Sequence, residues 1–240
     1  MKTYKILLFI LIVTPDFIFS QQMDSNKIHP WSLGITFSPD FTYRNIYANK
    51  SYVGQVIGDF RDTTEIPRFG YTTGINLKRK MNNKISIKIG LLFADKGEQT
   101  IKRHLTFATP DPSNVTDVQF KYHYYFIDMP ISIEYYLLNK KTKIFLTTGI
   151  SFNYFIFYNQ YSTLTYIDGH TSSKSQSQFG GYSFVNISFL GGIGFSYQIS
   201  KKISIELIPT YRRSITSIVN APITGILYSA GINFGIYYRL

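Results

Sequence analysis

The sequence contains no cysteine. Disulfide bonds, thiol catalysis, zinc sites with Cys ligands and a lipid-modified N-terminal Cys are therefore excluded. Charged residues are scarce, at 16% of the chain. No apolar run of the roughly 18 residues that a transmembrane helix needs follows position 20. The sequence therefore also excludes a helical membrane protein.

The first 20 residues have the composition of a secretory signal peptide. Lys2 and Lys5 supply a positive region, the apolar run from Ile6 to Val13 is too short to span a bilayer, and Ser20 is a small residue suited to cleavage. A short buried strand or an uncleaved anchor is the alternative. We expect residues 1–20 to be removed and residues 21–240 to form one domain.

The last 15 residues, Ile226 to Leu240, alternate between two kinds of side chain. Bulky apolar and aromatic residues occupy every second position, and small or polar residues occupy the positions between them. A period of two indicates a β-strand whose two faces meet different media. Such a strand fits a soluble sandwich, or a membrane barrel with lipid outside and a crowded, hydrated lumen inside.

Seven further segments have the same character as the C-terminal one. With it, the predicted strands are Trp31 to Arg44, Arg68 to Met81, Lys84 to Asp95, Val118 to Leu138, Lys143 to Asn159, Ser183 to Ile199, Lys202 to Ile215 and Ile226 to Leu240. Pro130, inside the fourth segment, indicates either a bulge or a split of that segment, and Pro209 lies within the seventh.

The connections between these segments alternate in length. Polar turns of three or four residues lie at 81–84, 139–142 and 200–202, whereas 45–67, 97–117, 160–182 and 215–225 are long. Short turns at one rim and long loops at the other are typical of outer-membrane barrels. We therefore predict an all-β fold, an eight-stranded antiparallel up-and-down transmembrane β-barrel in the outer membrane with both termini in the periplasm.

Short motifs within these strands resemble the PorT-like outer-membrane β-barrel family of Bacteroidetes. The motifs are Gly70-Tyr71-Thr72-Thr73-Gly74, Gly90-Leu91-Leu92-Phe93, Phe126-Ile127-Asp128-Met129-Pro130, Gly192-Ile193-Gly194-Phe195 and Tyr211-Arg212-Arg213-Ser214. The resemblance covers most of the mature chain and implies an outer-membrane barrel. It also implies a possible part in type IX protein secretion, the process in which the family's namesake takes part.

Candidate catalytic residues are not evident. His29, His104, His123 and His170 show no metal-ligand spacing, and we expect the loop histidines to be solvated. The glycine-rich stretch from Gly191 to Gly194 lies within a strand and precedes no helix, so it does not fit a phosphate loop. We expect no catalytic residue, no cofactor and no metal.

Charged residues are predicted on the inner face of the strands. A Lys or Arg facing lipid near the midplane would cost about 2–4 kcal/mol, whereas opposite charges inside can pair and fill the bore. These lumen charges are Lys78, Lys88, Asp128, Glu134, Glu206, Arg212 and Arg239. A structural core of salt bridges and an ion- or proton-conducting lumen are both compatible with the pattern. Eight strands enclose room for side chains only, which favours the structural interpretation.

The remaining composition bears on partners. Aromatics form 17% of the chain and suit belts at a membrane interface. The net charge of +11 suits contact with outer-membrane lipid and lipopolysaccharide. Nucleic acid is not expected, because the lysines are dispersed. Arg44, Lys50, Arg61, Lys96, Lys102, Arg103 and the Tyr/Ser/Gln-rich stretch Tyr158 to Tyr182 are assigned to the long loops.

The leading functional hypothesis is a non-enzymatic outer-membrane protein that anchors or recognises through its loops, with a lumen filled by side chains. A component of a secretion machinery, with envelope or secretion proteins as partners, is the alternative. A small-solute channel or a membrane-lipid enzyme forms a third class.

Overall fold

The computed structural model describes residues 31–48, 50–107, 114–220 and 223–240. The predicted signal peptide, residues 1–20, and His29 lie outside the described residues. Eight long strands dominate the rest. They are β1 Trp31–Ala48, β2 Glu65–Lys80, β3 Ile85–Thr100, β4 Val115–Asn139, β5 Thr142–Tyr166, β6 Val185–Gln198, β7 Ile203–Ser214 and β8 Ile223–Arg239.

The eight strands form a closed antiparallel ring. Each strand pairs with its neighbours in chain order, and β8 closes the ring on β1 from Ser32 opposite Arg239 to Ala48 opposite Ile223. Closure satisfies the backbone N–H and C=O groups that lipid cannot satisfy. The prediction of an eight-stranded up-and-down barrel is confirmed.

The two faces of the ring differ as the alternation predicts. On β1, the side chains of Ile35 and Phe37 are 68% and 50% exposed, while those of Thr36 and Ser38 are buried. The outward residues make an apolar band. Aromatic residues border it near the short turns, namely Trp31, Tyr135, Tyr197 and Tyr238. A chain of ring contacts borders it at the other end, linking Phe37, Tyr71, Phe93, Tyr125 and Phe157.

Several strands run further toward the long loops than we predicted. β4 and β5 have 25 residues each. Arg44 and Lys96, which we assigned to loops, lie in β1 and β3, so that assignment was wrong. The Tyr/Ser/Gln-rich stretch is the end of β5 hairpinned with a short strand, Thr171–Gln178, rather than a loop. The short strand is polar on both faces, and alternation therefore does not mark it.

The first long connection contains a helix, α1 Tyr52–Thr64, which we did not predict. The Ser51 side chain accepts a hydrogen bond from the Gly54 N–H at 3.0 Å and caps its N-terminus. The helix packs on the end of β1 through glycine, since a Cβ on Gly58 would come within 3.0 Å of the Ala48 Cβ. Among the described residues no helix is long and apolar enough to cross a membrane.

Two further short strands, Arg103–His104 and Val219–Asn220, pair with β4 and β8 in the long connections. Pro130 and Pro209, two of the four prolines within the long strands, lie where one neighbouring ladder is interrupted. The β3–β4 ladder pairs Ile89 with Ile131 and Leu92 with Asp128, and skips the stretch that contains Pro130. On its other side Pro130 stays paired, opposite Ser151. Pro130 therefore accompanies a local irregularity without splitting the strand, which answers the alternative left open by the sequence.

An added positive charge on β7 should have a different effect on the outward face from that on the inward face. Leu207 faces outward between Phe195 and Phe234. Leu207→Lys should therefore lower the free energy of unfolding in lipid vesicles by about 2–4 kcal/mol and reduce the refolding yield. Ser204→Lys is the control, because Ser204 lines an aqueous cavity at the short-turn rim. Equal refolding yields for the two variants would contradict the orientation of β7.

Candidate functional site

The lumen holds paired charges at three levels. Nearest the short turns, the Lys78 Nζ lies 2.8 Å from the Glu134 Oε2 and 2.5 Å from the Glu206 Oε1. The Lys88 Nζ lies 2.9 Å from the Glu134 Oε1. Two lysines and two glutamates therefore balance one another within one buried cluster.

Aromatic side chains enclose this first cluster. The Tyr136 hydroxyl donates to the Glu134 Oε2 at 2.9 Å. The Lys78 Nζ lies 4.4 Å from the centroid of the Tyr237 ring and 5.4 Å from that of Phe145. Gly34 provides the room for Tyr237, because a Cβ there would overlap its ring. These rings seal the barrel above the short turns and leave the cluster little contact with water.

Asp40 organises the middle of the lumen. It accepts hydrogen bonds from the Ser38 and Thr72 hydroxyls, each at 2.6 Å, and its Oδ1 lies 2.8 Å from the Arg212 Nη1. A second pair joins the Lys96 Nζ to the Asp128 Oδ2 at 2.7 Å. The cavity that remains between these layers has about 40 Å³, enough for little more than an isolated water.

A third charged cluster lies at the long-loop end. The Arg44 guanidinium is 2.8 Å from the Glu65 Oε1 and 3.1 Å from the Glu98 Oε1. The Tyr124 hydroxyl donates to the same Glu98 oxygen at 2.8 Å. Arg61 of α1 approaches Glu65 at 3.8 Å, so the helix is tied to the cluster by charge.

An aromatic plug fills the barrel beside this third cluster. Its buried residues are Ala94, Tyr124, Phe126, Phe155, Tyr158, Ile218 and Leu227. Tyr182, from the connection between β5 and β6, covers the plug with ring centroids 5.1 Å from Tyr124 and 5.4 Å from Tyr158. Burial raises the pKa of the Tyr182 hydroxyl above its ordinary value. The plug and the charged layers together leave a filled interior rather than a wide bore.

The predicted lumen charges lie on the inner face, with different surroundings. Lys78, Lys88, Asp128, Glu134, Glu206 and Arg212 take part in the ion pairs described above. Arg239 is exposed at the short-turn rim and has no ion pair with another described residue. Sequence reasoning missed Asp40, Arg44, Glu65, Lys96 and Glu98. Asp40 lies two positions after Ser38 and therefore on the same strand face, which would have placed it in the lumen. Nothing in the sequence placed Glu65 there.

Outside the lumen, Arg68 repairs a break in the barrel wall. The β2–β3 ladder shifts register between Pro67 and Tyr71. There the Arg68 guanidinium donates to the backbone carbonyls of Phe69, Lys96 and Tyr122 and pairs with the carboxylate of Asp95. One planar group thus contacts three backbone carbonyls and a carboxylate beside the break.

His123 adds a second group beside this break. Its Nδ1 lies 3.0 Å from the Asp95 Oδ2, and its ring packs between Tyr125 and Tyr161. The other described histidines, His104 and His170, are exposed, each beside an aspartate. Within the described ranges no three His, Asp or Glu side chains are arranged to hold a metal ion.

The first charged cluster predicts unequal effects of two neutralising substitutions. Glu134 bridges Lys78 and Lys88, whereas Glu206 contacts Lys78 alone. Breaking a buried pair costs about 3–5 kcal/mol, less where water screens it. Glu134→Gln should therefore lower the free energy of unfolding more than Glu206→Gln, because it leaves Lys88 without a carboxylate. Urea unfolding in vesicles measures both; an equal or reversed order would contradict the assigned pairing.

The wall repair predicts a local effect for Arg68→Lys. An ammonium keeps the charge but cannot span the carbonyls that the planar guanidinium reaches. Hydrogen exchange should accelerate for amides around Tyr71 and Lys96 while the rest of the barrel stays protected. Arg213→Lys is the matched control, since Arg213 is exposed and bonds only the Tyr47 hydroxyl. Uniform exchange rates in all three proteins would show that Arg68 does not stabilise the break.

Comparison with solved structures finds barrels of low sequence identity. Neisserial surface protein A is 12% identical with a TM-score of 0.41, covering 88% of this chain and 97% of that one. A major outer membrane protein of Thermus thermophilus is 10% identical with a TM-score of 0.45, covering 88% and 99%. The outer membrane protease OmpT of Escherichia coli is 8% identical with a TM-score of 0.45, covering 92% and 99%.

No curated protein matches the sequence. The sequence does match a family model, that of the outer membrane protein beta-barrel domain, over residues 19–220, which is most of the chain. That match agrees with the closed ring of eight strands and its apolar outer band. The chain belongs to the outer membrane β-barrel domain family.

Proposed function

We propose that this protein is a non-enzymatic outer-membrane barrel that recognises an extended segment of a partner protein at its long-loop end. In this proposal the short-turn rim and both termini face the periplasm, and the long-loop end faces outward. The contrast between tight turns and long connections supports this orientation.

A sheet that protrudes from the ring carries the proposal. The β4–β5 ladder continues to Val115 opposite Tyr166, whereas β5 pairs with β6 only as far as Tyr154 opposite Val185. Beyond that point β5 pairs instead with the short strand Thr171–Gln178. The protruding sheet therefore leaves the barrel wall and ends at an open edge.

The open edge is suited to binding a further strand. Seven of its eight residues are exposed, and it contains neither proline nor glycine and a single charge, Lys174. Among the described residues its backbone has one neighbouring strand only. Proteins usually protect such edges with prolines, bulges or several charges. Ile167 and Phe179, 76% and 82% exposed, lie at its two ends as apolar contacts for a bound segment.

Main-chain pairing identifies the kind of partner. A free edge offers alternating N–H and C=O groups, which an extended peptide satisfies by adding a strand. A second copy in the same membrane fits less well. Antiparallel pairing of identical edges needs a two-fold axis perpendicular to the sheet, and this axis would invert one barrel across the membrane. We therefore assign the edge to a different protein.

The filled lumen supports a role without transport. Ion pairs at three levels and the aromatic plug occupy the interior, and a cavity between the charged layers has only about 40 Å³. An eight-stranded barrel has room for side chains and little else. These features favour recognition over a small-solute channel.

The PorT-like resemblance keeps a role in protein secretion as the second candidate function. The motif that carries it, Phe126 to Pro130, contributes Phe126 to the plug and Asp128 to the pair with Lys96. Deletion of the gene followed by comparison of the secreted proteins separates the two functions. Loss of secretion would favour this second candidate, whereas normal secretion with altered surface binding favours recognition.

Selection of displayed random peptides on the protein in nanodiscs tests recognition at the edge. Selected peptides should slow hydrogen exchange of residues 171–178. Consecutive N–H groups of a strand point alternately to its neighbour and to the free side. One of Ser175→Pro and Gln176→Pro should therefore abolish peptide binding while the barrel stays folded.

Alanine at the same two positions provides the control, because it retains the N–H. Both alanine variants should bind the selected peptides about as well as the unaltered protein. Peptides that bind without protecting residues 171–178, or that tolerate both prolines, would overturn recognition at this edge.

A further inference from the structure

The short-turn rim carries an excess of positive charge. Nine basic residues lie in or beside the three turns and the C-terminal strand end, and no Asp or Glu side chain lies among them. They are Arg79, Lys80, Lys84, Lys140, Lys141, Lys143, Lys201, Lys202 and Arg239. None forms an ion pair with another described residue, although every carboxylate of the lumen has a cationic partner.

Three of the rim cations face the membrane side. The Arg79 guanidinium lies 5.1 Å from the centroid of the Trp31 ring, and the Lys202 Nζ lies 5.5 Å from that of Tyr238. Lys141 packs on Tyr197 in the same way, at 5.3 Å. Cations stacked on interfacial aromatics lie at the level of lipid headgroups. Outward cations therefore account for contact with lipid phosphate.

Rim cations, Lys202 among them, also surround a cavity inside the barrel mouth. The cavity has about 320 Å³, roughly ten times the volume of one liquid water. Its charged lining consists of Lys78, Lys80, Lys143, Lys201, Lys202, Glu206 and Arg239. Glu206, the one carboxylate side chain in this lining, is already paired with Lys78. The other cations in this lining have no carboxylate partner among the described residues, and the remaining lining residues are uncharged.

Apart from Glu206, no Asp or Glu side chain of the described residues lines this cavity. The ten residues before Trp31 contain one acid, Asp24, against one base, Lys27. The neighbouring turns are rich in Lys and Asn. Cations held around a concave, partly desolvated space concentrate the field there, and the field attracts anions. An anion bound there would relieve their mutual repulsion.

We propose that this cavity, the vestibule, is a binding site for a multivalent oxyanion. The ligand presents phosphate or clustered carboxylate groups between Lys80, Lys143 and Arg239. The vestibule opens inside the ring of strands, so lipid headgroups outside the ring do not reach its inward cations. With the orientation proposed above, its ligand comes from the periplasm.

Calorimetric titration of the refolded, full-length mature protein with inorganic pyrophosphate tests the site. Binding should saturate at one ligand per barrel in 20 mM salt and weaken by an order of magnitude in 200 mM salt, because ions screen exposed charge. Lys143→Gln combined with Arg239→Gln should raise the Kd about tenfold or more.

A charge-matched variant makes the result specific. Lys84→Gln combined with Lys140→Gln removes the same two charges from exposed turn residues that do not line the vestibule. Its Kd should stay within about twofold of that of the unaltered protein. An equal loss in both double variants would show diffuse attraction to the whole rim and overturn the site, as would absence of saturable binding in 20 mM salt.

Two further titrations distinguish the sources of the anion. Tetraglutamate carries carboxylates, and vesicles with and without an anionic phospholipid carry phosphate at a membrane surface. Competition of pyrophosphate by tetraglutamate would assign the vestibule to soluble oxyanions of either kind. Competition by the anionic lipid alone would contradict the inward location of the site.

Discussion

Backbone hydrogen bonding in lipid is the constraint on which the rest of this structure depends. The hydrocarbon layer offers no partner for an N–H or C=O, so the strands must pair on both sides and the first must meet the last. Here β8 meets β1 along nearly the whole of both strands. Ring closure then fixes which side chains face lipid and which face inward, because neighbours along a strand alternate. Even the wall's irregularities obey the constraint. Where β2 and β3 shift register, the Arg68 guanidinium donates hydrogen bonds to the backbone carbonyls of Lys96 and Tyr122.

The narrow bore decides what the inward side chains can be. A ring of eight strands encloses a space that side chains must fill, and here that filling is largely charged. Replacing such pairs with apolar residues is often neutral or stabilising in other proteins, so their presence is weak evidence for stability alone. In this barrel they have a second effect. Lys78 on β2 contacts carboxylates from β4 and β7, and Arg44 on β1 contacts Glu98 on β3, so these pairs across the lumen join strands that are not neighbours in the wall.

The sequence predicted the part of the fold where two media meet. Alternation marked Ile35 against Thr36, and Phe234 against Gly235, because lipid and lumen impose opposite demands on adjacent residues. Above the apolar band both faces meet water, and the pattern fades. The strand Thr171–Gln178 is polar on both faces, and its sequence therefore predicted a loop. Lys96 and Arg44, which we also assigned to loops, are buried in ion pairs at the ends of β3 and β1. Glu65 could not be anticipated, because its contact with Arg44 depends on how α1 returns the chain to the ring.

The two ends of the barrel differ in which of their polar groups lack partners. At the long-loop end, the buried cation Arg44 is neutralised by two glutamates, and Arg61 reaches one of them. The groups that lack a neighbouring strand there are backbone N–H and C=O groups, along the free edge of the protruding sheet. At the short-turn rim the backbone is closed by tight turns, and what remains unsatisfied is charge. A free backbone edge favours an extended peptide, because such a peptide can pair with its N–H and C=O groups. A vestibule lined by cations without carboxylate partners favours anions, because its electrostatic field attracts them. The two proposed sites therefore depend on different kinds of unsatisfied group, and the filled lumen lies between them.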